Sequence, residues 1–137
     1  MWLIYALLSA IFASLVAIFI KLGVKNIDSN LAMALRTSVV VVMAWLIVWF
    51  GGAKNFSGAF TRSNIIFLVI SGLATGLSWL FYLKAMQLAE VSKVAPIDKL
   101  SLVFTLILAF FILGEPAGPK VIIGASLIVA GTLVMIL

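Results

Sequence analysis

Polar and apolar positions divide this chain into five long apolar stretches separated by short polar or Gly/Pro punctuation. The first covers residues 2–20 and is closed by Lys21 and Lys25. The second, 31–50, is interrupted by Arg36 and ends at Gly51-Gly52. The third, 65–83, ends at Lys84, and the fourth, 94–113, ends at Gly114-Glu115-Pro116. The fifth occupies 121–137. Each stretch is close to the roughly 20 residues a helix needs to cross a ~30 Å hydrocarbon core at about 1.5 Å per residue. Barrel strands would instead read as short segments of alternating polarity. The pattern predicts an all-α integral membrane protein of five transmembrane helices, organised as one domain over 1–137. A signal peptide in the first stretch is not expected, since no charge precedes Lys21 and a signal opens on a basic region.

Composition sharpens this picture. Hydrophobic residues make up 66% of the 137 positions and charged residues 9%, where soluble domains carry about 25% charge. So little charge cannot keep a monomer dissolved, and the lipid bilayer is the expected partner. Five spans leave only short connections, with no room for a second soluble domain or a nucleotide-binding cassette. The chain has no Cys and no His, which excludes thiol nucleophiles, histidine triads and Cys/His metal sites. Its four carboxylates are Asp28, Glu90, Asp98 and Glu115. No catalytic constellation emerges from them, so neither an enzyme nor a bound metal or cofactor is expected. The net charge of +5 comes from basic residues standing singly beside apolar stretches. That placement suits a headgroup surface and not nucleic acid.

An odd number of spans puts the termini on opposite sides. Lys21, Lys25, Lys84 and Lys93 then share one face, and Lys54, Arg62 and Lys120 the other. Adding Arg36 and Lys99, just inside their helices, tips the tally to six against three. The loops alone bias orientation weakly. Both a single topology and a pair of oppositely inserted copies agree with the charges.

Chemistry concentrates on a few helix faces. Ser71, Thr75, Ser78 and Tyr82 recur at i, i+4, i+7 and i+11 and share one face of the third helix. Such a stripe lines a solute path or bonds back to its own backbone. Beside it, Gly72 and Gly76 form a G-x-x-x-G step that permits close helix approach, and Trp79 and Phe81 add aromatic walls. The fourth helix opens on Val94-Ala95-Pro96-Ile97-Asp98-Lys99. Pro96 is expected in its first turn, where a missing N–H costs nothing. Asp98, Ser101 and Thr105 then form a second polar stripe. Asp98 is either a functional intramembrane carboxylate or an interfacial cap beside a snorkelling Lys99. Arg36 enters its helix from the same membrane face, and an Arg–Asp pair at that depth would lower the cost of both charges. On the fifth helix Gly124, Leu127, Ile128 and Gly131 share a face suited to another helix, within the chain or in a second copy.

These residues resemble a single EamA domain of the drug/metabolite transporter superfamily. Leu35-Arg36 is similar to the family's leucine–arginine early in its second helix. Phe81-Tyr82-Leu83-Lys84-Ala85-Met86 resembles its third-helix ending, and Leu113-Gly114-Glu115 its turn before the last helix. Gly124 to Gly131 resembles its final helix, and also the G-x-x-L-I-x-x-G dimerisation helix of the small multidrug resistance proteins. Two features depart from these patterns. Leu102 stands where the family often has proline, and 2–20 has no carboxylate, whereas the small multidrug resistance proteins place an essential glutamate in that helix. Proton-coupled export of lipophilic cations by that route is therefore not expected.

The resemblance implies a secondary carrier for small-molecule solutes that works by alternating access. Many family members have ten helices in two halves of opposite orientation. This chain is half of that inverted-repeat architecture, and a homodimer of inverted copies would restore it. Arg36, Asp98 and Lys99 would shape the electrostatics near one mouth, and Trp79 and Tyr82 would contact the solute. The expected location is a prokaryotic-type plasma (inner) membrane. A non-transporting scaffold and one half of a heterodimeric transporter or flippase are the competing expectations.

Overall fold

The computed structural model describes residues 2–24, 26–52 and 61–137. Lys25 and Lys54, counted in the charge tally, lie outside the described residues. Among the described residues all regular structure is helical, with five segments long and apolar enough to span a membrane. Helix α1 is Trp2–Gly23, α2 is Ser29–Gly51 and α3 is Arg62–Leu88. The fourth span consists of α4 (Val91–Asp98), α5 (Leu100–Leu108) and a π-helical turn (Ala109–Leu113). The fifth is α6, Pro119–Ile136.

The five expected stretches all become helices. Most extend past their apolar limits into polar residues such as Ser29-Asn30, Arg62-Ser63-Asn64 and Ser92-Lys93. Hydropathy marks where the chain meets lipid, while a hydrogen-bond ladder continues until something caps it. At α2 the cap is Asp28, whose Oδ1 accepts the backbone N–H groups of Asn30 at 2.9 Å and Leu31 at 3.2 Å. Such a cap stabilises a helix by about 1 kcal/mol. The end of α2 passes into Gly52 at φ 61°, and the π-helical turn passes into Gly114 at φ 67°. Both are left-handed positions that favour glycine. This accounts for the glycine of Leu113-Gly114-Glu115. Pro119 occupies the start of α6, where its missing N–H has no intrahelical partner to lose.

The chain divides into two compact units, Leu22–Gln87 and Met1–Lys21 with Leu88–Leu137. The first is essentially the α2–α3 hairpin. Leu83 and Met86 are its most buried side chains, each 1% exposed, with Val24 and Ser29 also buried. Gln87 Nε2 donates to the carbonyls of Val24 at 3.2 Å and Ile27 at 2.8 Å, fastening the end of α3 to the segment leading into α2.

The second unit joins most of α1 to α4, α5, the π-helical turn and α6. Its buried residues are Ala17, Ile20, Val94 and Thr132. Lys21 Nζ donates to the carbonyl of Ala89 at 2.6 Å, tying α1 to the connection that enters α4. Helix α6 packs on both α4 and α5. Thr132 of α6 donates its hydroxyl to the carbonyl of Pro96 at 3.3 Å.

That bond explains a departure from expectation. Pro96 lies in the interior of α4, not its first turn, because the helix starts at Val91. In an unbroken helix its carbonyl accepts from residue 100. Here it takes the Lys99 N–H at 3.1 Å together with the Thr132 hydroxyl, and Lys99 N–H also reaches Ala95 O at 3.3 Å. A side chain inserted into the ladder is a recognised cause of helix breaks, and the span is interrupted at Lys99. Asp98 is consequently the last residue of α4 and does not cap the start of the span, where Glu90 stands.

Elsewhere the helices present apolar side chains outward, with Trp49 and Phe50 each 84% exposed at the end of α2. Hydrocarbon is the solvent these surfaces require, and aromatic residues near a helix end suit the headgroup boundary. Replacing Thr132→Val is expected to destabilise the fold by about 1 kcal/mol, the scale of side-chain hydrogen bonds in membranes. Thr132→Ser should restore most of it. Reversible unfolding in mixed detergent micelles measures both.

Candidate functional site

In the α2–α3 hairpin the two helices approach at Gly76. A Cβ built there lies 3.5 Å from Cε of Met33, whereas Gly72 has open space around it. One glycine of the G-x-x-x-G step therefore meets a neighbour within the chain. One turn from Gly76 along α3, Trp79 faces Arg36 of α2. The guanidinium carbon sits 4.4 Å from the centre of the indole ring, well inside the range of a cation–π contact. Tyr82 lies within electrostatic reach of the same cation. The hairpin thus brings together Arg36, Trp79 and Tyr82, three of the residues expected along the solute path.

The size of these terms matters. A cation–π contact contributes about 0.5–2 kcal/mol. Insertion scales put the cost of an arginine at a helix centre near 2.5–3.5 kcal/mol. Stacking on Trp79 therefore offsets only part of the cost of Arg36. The residue needs its place toward one end of α2, and water or an anion, for the remainder.

Along α2, Asn30, Thr37 and Ser38 line a groove of about 510 Å³ together with Met33, Ala34, Val41, Val42 and Leu80. Thr37 Oγ1 is shielded from solvent and has no hydrogen-bond partner among the described residues. This face was not among the stripes expected to line a solute path. Its signal was present as Asn30, Thr37 and Ser38 at i, i+7 and i+8, but the surrounding valines and methionines made it read as ordinary apolar helix.

The expected stripe on α3 has a mixed outcome. Ser71, Thr75, Ser78 and Tyr82 share a face of an unbroken helix. Thr75 Oγ1, however, donates to the Ser71 carbonyl at 2.9 Å, so this hydroxyl is satisfied by its own preceding turn. The fourth-span stripe behaves similarly. Thr105 donates to Ser101 O at 2.8 Å within α5, and Asp98 is separated from both by the break at Lys99. Asp98 Oδ2 pairs with Lys99 Nζ at 3.4 Å, with side chains 39% and 57% exposed. Arg36 and Asp98 each find a contact inside their own unit, Trp79 for one and Lys99 for the other.

Helix α6 uses opposite sides differently. Ala125, Val129 and Leu133 border an apolar groove of about 510 Å³ shared with Val103, Ile107 and Phe110 of the fourth span. The face carrying Gly124, Leu127, Ile128 and Gly131 is less covered. Leu127 is 68% exposed, and neither glycine has an atom within 4 Å of its would-be Cβ. No cluster of three metal-ligating side chains occurs among the described residues.

Comparison with known proteins places this arrangement. Residues 1–137 match the EamA-like transporter family over their whole length. The chain belongs to that family. It is also 40% identical over 134 residues to a protein of Sinorhizobium sp. described as an uncharacterized transporter in the cobO 3' region. The match spans 98% of this chain and 95% of that relative. No solved structure matches it. Membership in the EamA family and five spanning helices make this an integral, multi-pass membrane protein, and together with the relative they point to a transporter and not an enzyme.

The contact at Gly76 yields a sharp test in this EamA protein. The 3.5 Å approach is ordinary van der Waals distance, and alanine favours a helix over glycine by about 1 kcal/mol. Gly76→Ala should therefore leave stability unchanged or raise it. Gly76→Ile overpacks the contact and should cost about 1–3 kcal/mol, measured by the same unfolding titration.

Proposed function

We propose that this EamA-family protein is a secondary transporter of small metabolites, working by alternating access as an inverted homodimer in a prokaryotic-type plasma membrane. The observation that carries the reading is the Asp98–Lys99 ion pair within the fourth span, at a one-residue irregularity of its helix. Charged groups inside membrane helices are expensive and are kept at ion and solute pathways. Asp98 is the eighth residue of the span, about 10 Å from its start at 1.5 Å per residue. Counted from the apolar limit at residue 94, Asp98 is about 6 Å into the span, near one mouth, where a carboxylate can couple to a solute or an ion.

The span count and the surface of α6 support the dimer. Five spans are half of an inverted-repeat carrier, and the less covered Gly124–Gly131 face offers flat backbone to a second copy. The polar positions Ser71, Ser78 and Ser101 would then border the shared cavity, with Trp79 and Tyr82 contacting the solute. Metabolite-loaded liposomes containing the purified protein should exchange a subset of labelled amino acids, amines or organic acids. Asp98→Asn should slow that exchange at least tenfold without unfolding the protein. No exchange of any pool by a folded protein would count against transport, and an unaltered rate in Asp98→Asn against its role.

Orientation has its own test. The chain has no Cys, so Asn26→Cys supplies one label site, in the connection between α1 and α2. A membrane-impermeant maleimide applied to intact cells should modify about half of the molecules. Labelling of all or none, with no homologous companion present, would sink the inverted homodimer.

A further inference from the structure

We infer that Arg36, braced on Trp79, is an oxyanion-binding group that receives a carboxylate or phosphate on the edge of its guanidinium. Its use in transport rests on the reading above, but the binding itself does not.

The charge inventory leads there first. The Leu22–Gln87 unit contains five basic residues, Lys25, Arg36, Lys54, Arg62 and Lys84, and a single carboxylate, Asp28. That carboxylate is occupied as the N-cap of α2, accepting two backbone N–H groups. Arg36 lies seven residues past Ser29, about 10 Å along the helix. It is only half-exposed, within a span that is otherwise apolar. Within its unit it forms no hydrogen bond or ion pair with a described residue; its contact is the Trp79 ring at 4.4 Å.

Geometry then selects the ligand. A guanidinium has two faces and an edge. Stacking uses a face and leaves the N–H fork along the edge to make parallel hydrogen bonds with a carboxylate or phosphate. Trp79 therefore does not compete with an oxyanion. It restrains the long side chain in advance, so that less conformational freedom is lost when the anion arrives. A cationic ligand is disfavoured by the uncompensated positive charge. A second observation lies next along α2, where Thr37 holds a hydroxyl shielded from solvent and without a partner among the described residues.

The oxyanion has two possible sources, a dissolved solute or a lipid headgroup, since arginine side chains can extend toward headgroups. The experiment separates them. Four tryptophans occur, at 2, 45, 49 and 79, and the variant W2F/W45F/W49F makes Trp79 the sole indole reporter. In dodecyl maltoside, sodium succinate or inorganic phosphate should shift its emission saturably, and putrescine should not. Arg36→Gln should weaken that response at least tenfold, and Arg36→Lys, which keeps the charge but loses the fork, several-fold. Circular dichroism confirms that each variant is folded. A response confined to short-chain phosphatidylglycerol, and lost in Arg36→Gln, supports the oxyanion site and assigns its source to the headgroup. No response to any anion, or an equal one in Arg36→Gln, overturns the inference. Saturable binding without exchange in liposomes leaves the site standing and removes the transport reading; exchange that is indifferent to Arg36 leaves transport standing and removes the site's part in it.

Discussion

Inside a bilayer every backbone N–H and C=O must find its partner within the protein, because hydrocarbon offers none. The rest of this structure is organised around meeting that demand where the chain cannot do so with a regular helix. Pro96 has no N–H to give to the ladder, and its carbonyl is shared between Lys99 N–H and the Thr132 hydroxyl. The same demand appears wherever a helix ends. Ala89 O is taken by Lys21, and Val24 O and Ile27 O by Gln87. Long polar side chains at the ends of spans thus satisfy the carbonyls of the neighbouring connections, and the basic residue that a charge tally counts toward orientation also closes a loop.

The charged residues within the spans are stabilised by different physics. Asp98 and Lys99 are adjacent and partly exposed, so their pairing at 3.4 Å adds little stability of its own. Its consequence is local neutrality at the point where the fourth span breaks. Arg36 is held by an aromatic face, which orients it without neutralising it. One unit therefore presents a balanced pair at a helix break, and the other an unbalanced cation on a hairpin.

Packing supplies the third element. Small residues were expected to mark close helix approaches, and they do so selectively. Gly76 meets Met33, while Gly72, Gly124 and Gly131 meet nothing within 4 Å. Within the α6 surface the side toward the fourth span is used, and the glycine-bearing side is left for lipid or another helix. A glycine pair says that an approach is possible, and only the neighbouring chain determines whether it occurs.

Hydropathy alone was enough to place five helices able to span a membrane, because burial in lipid is a one-dimensional property of about 20 consecutive residues. The turn at Leu113-Gly114-Glu115 and the aromatic and charged residues worth watching were legible for a similar reason, since each depends on residues close in the chain. Other features depended on distant partners. Pro96 looked like a first-turn proline until the helix was seen to begin at Val91 and Thr132 to reach its carbonyl from 36 positions away. Arg36 was read only against Asp98, and its stacking on Trp79 became visible once the α2–α3 hairpin brought the two together. Thr75 and Thr105 had the spacing of path-lining hydroxyls, yet both turned back to their own helices. A period along the chain states which face a side chain occupies, but the atom it meets there depends on how the helices are brought together.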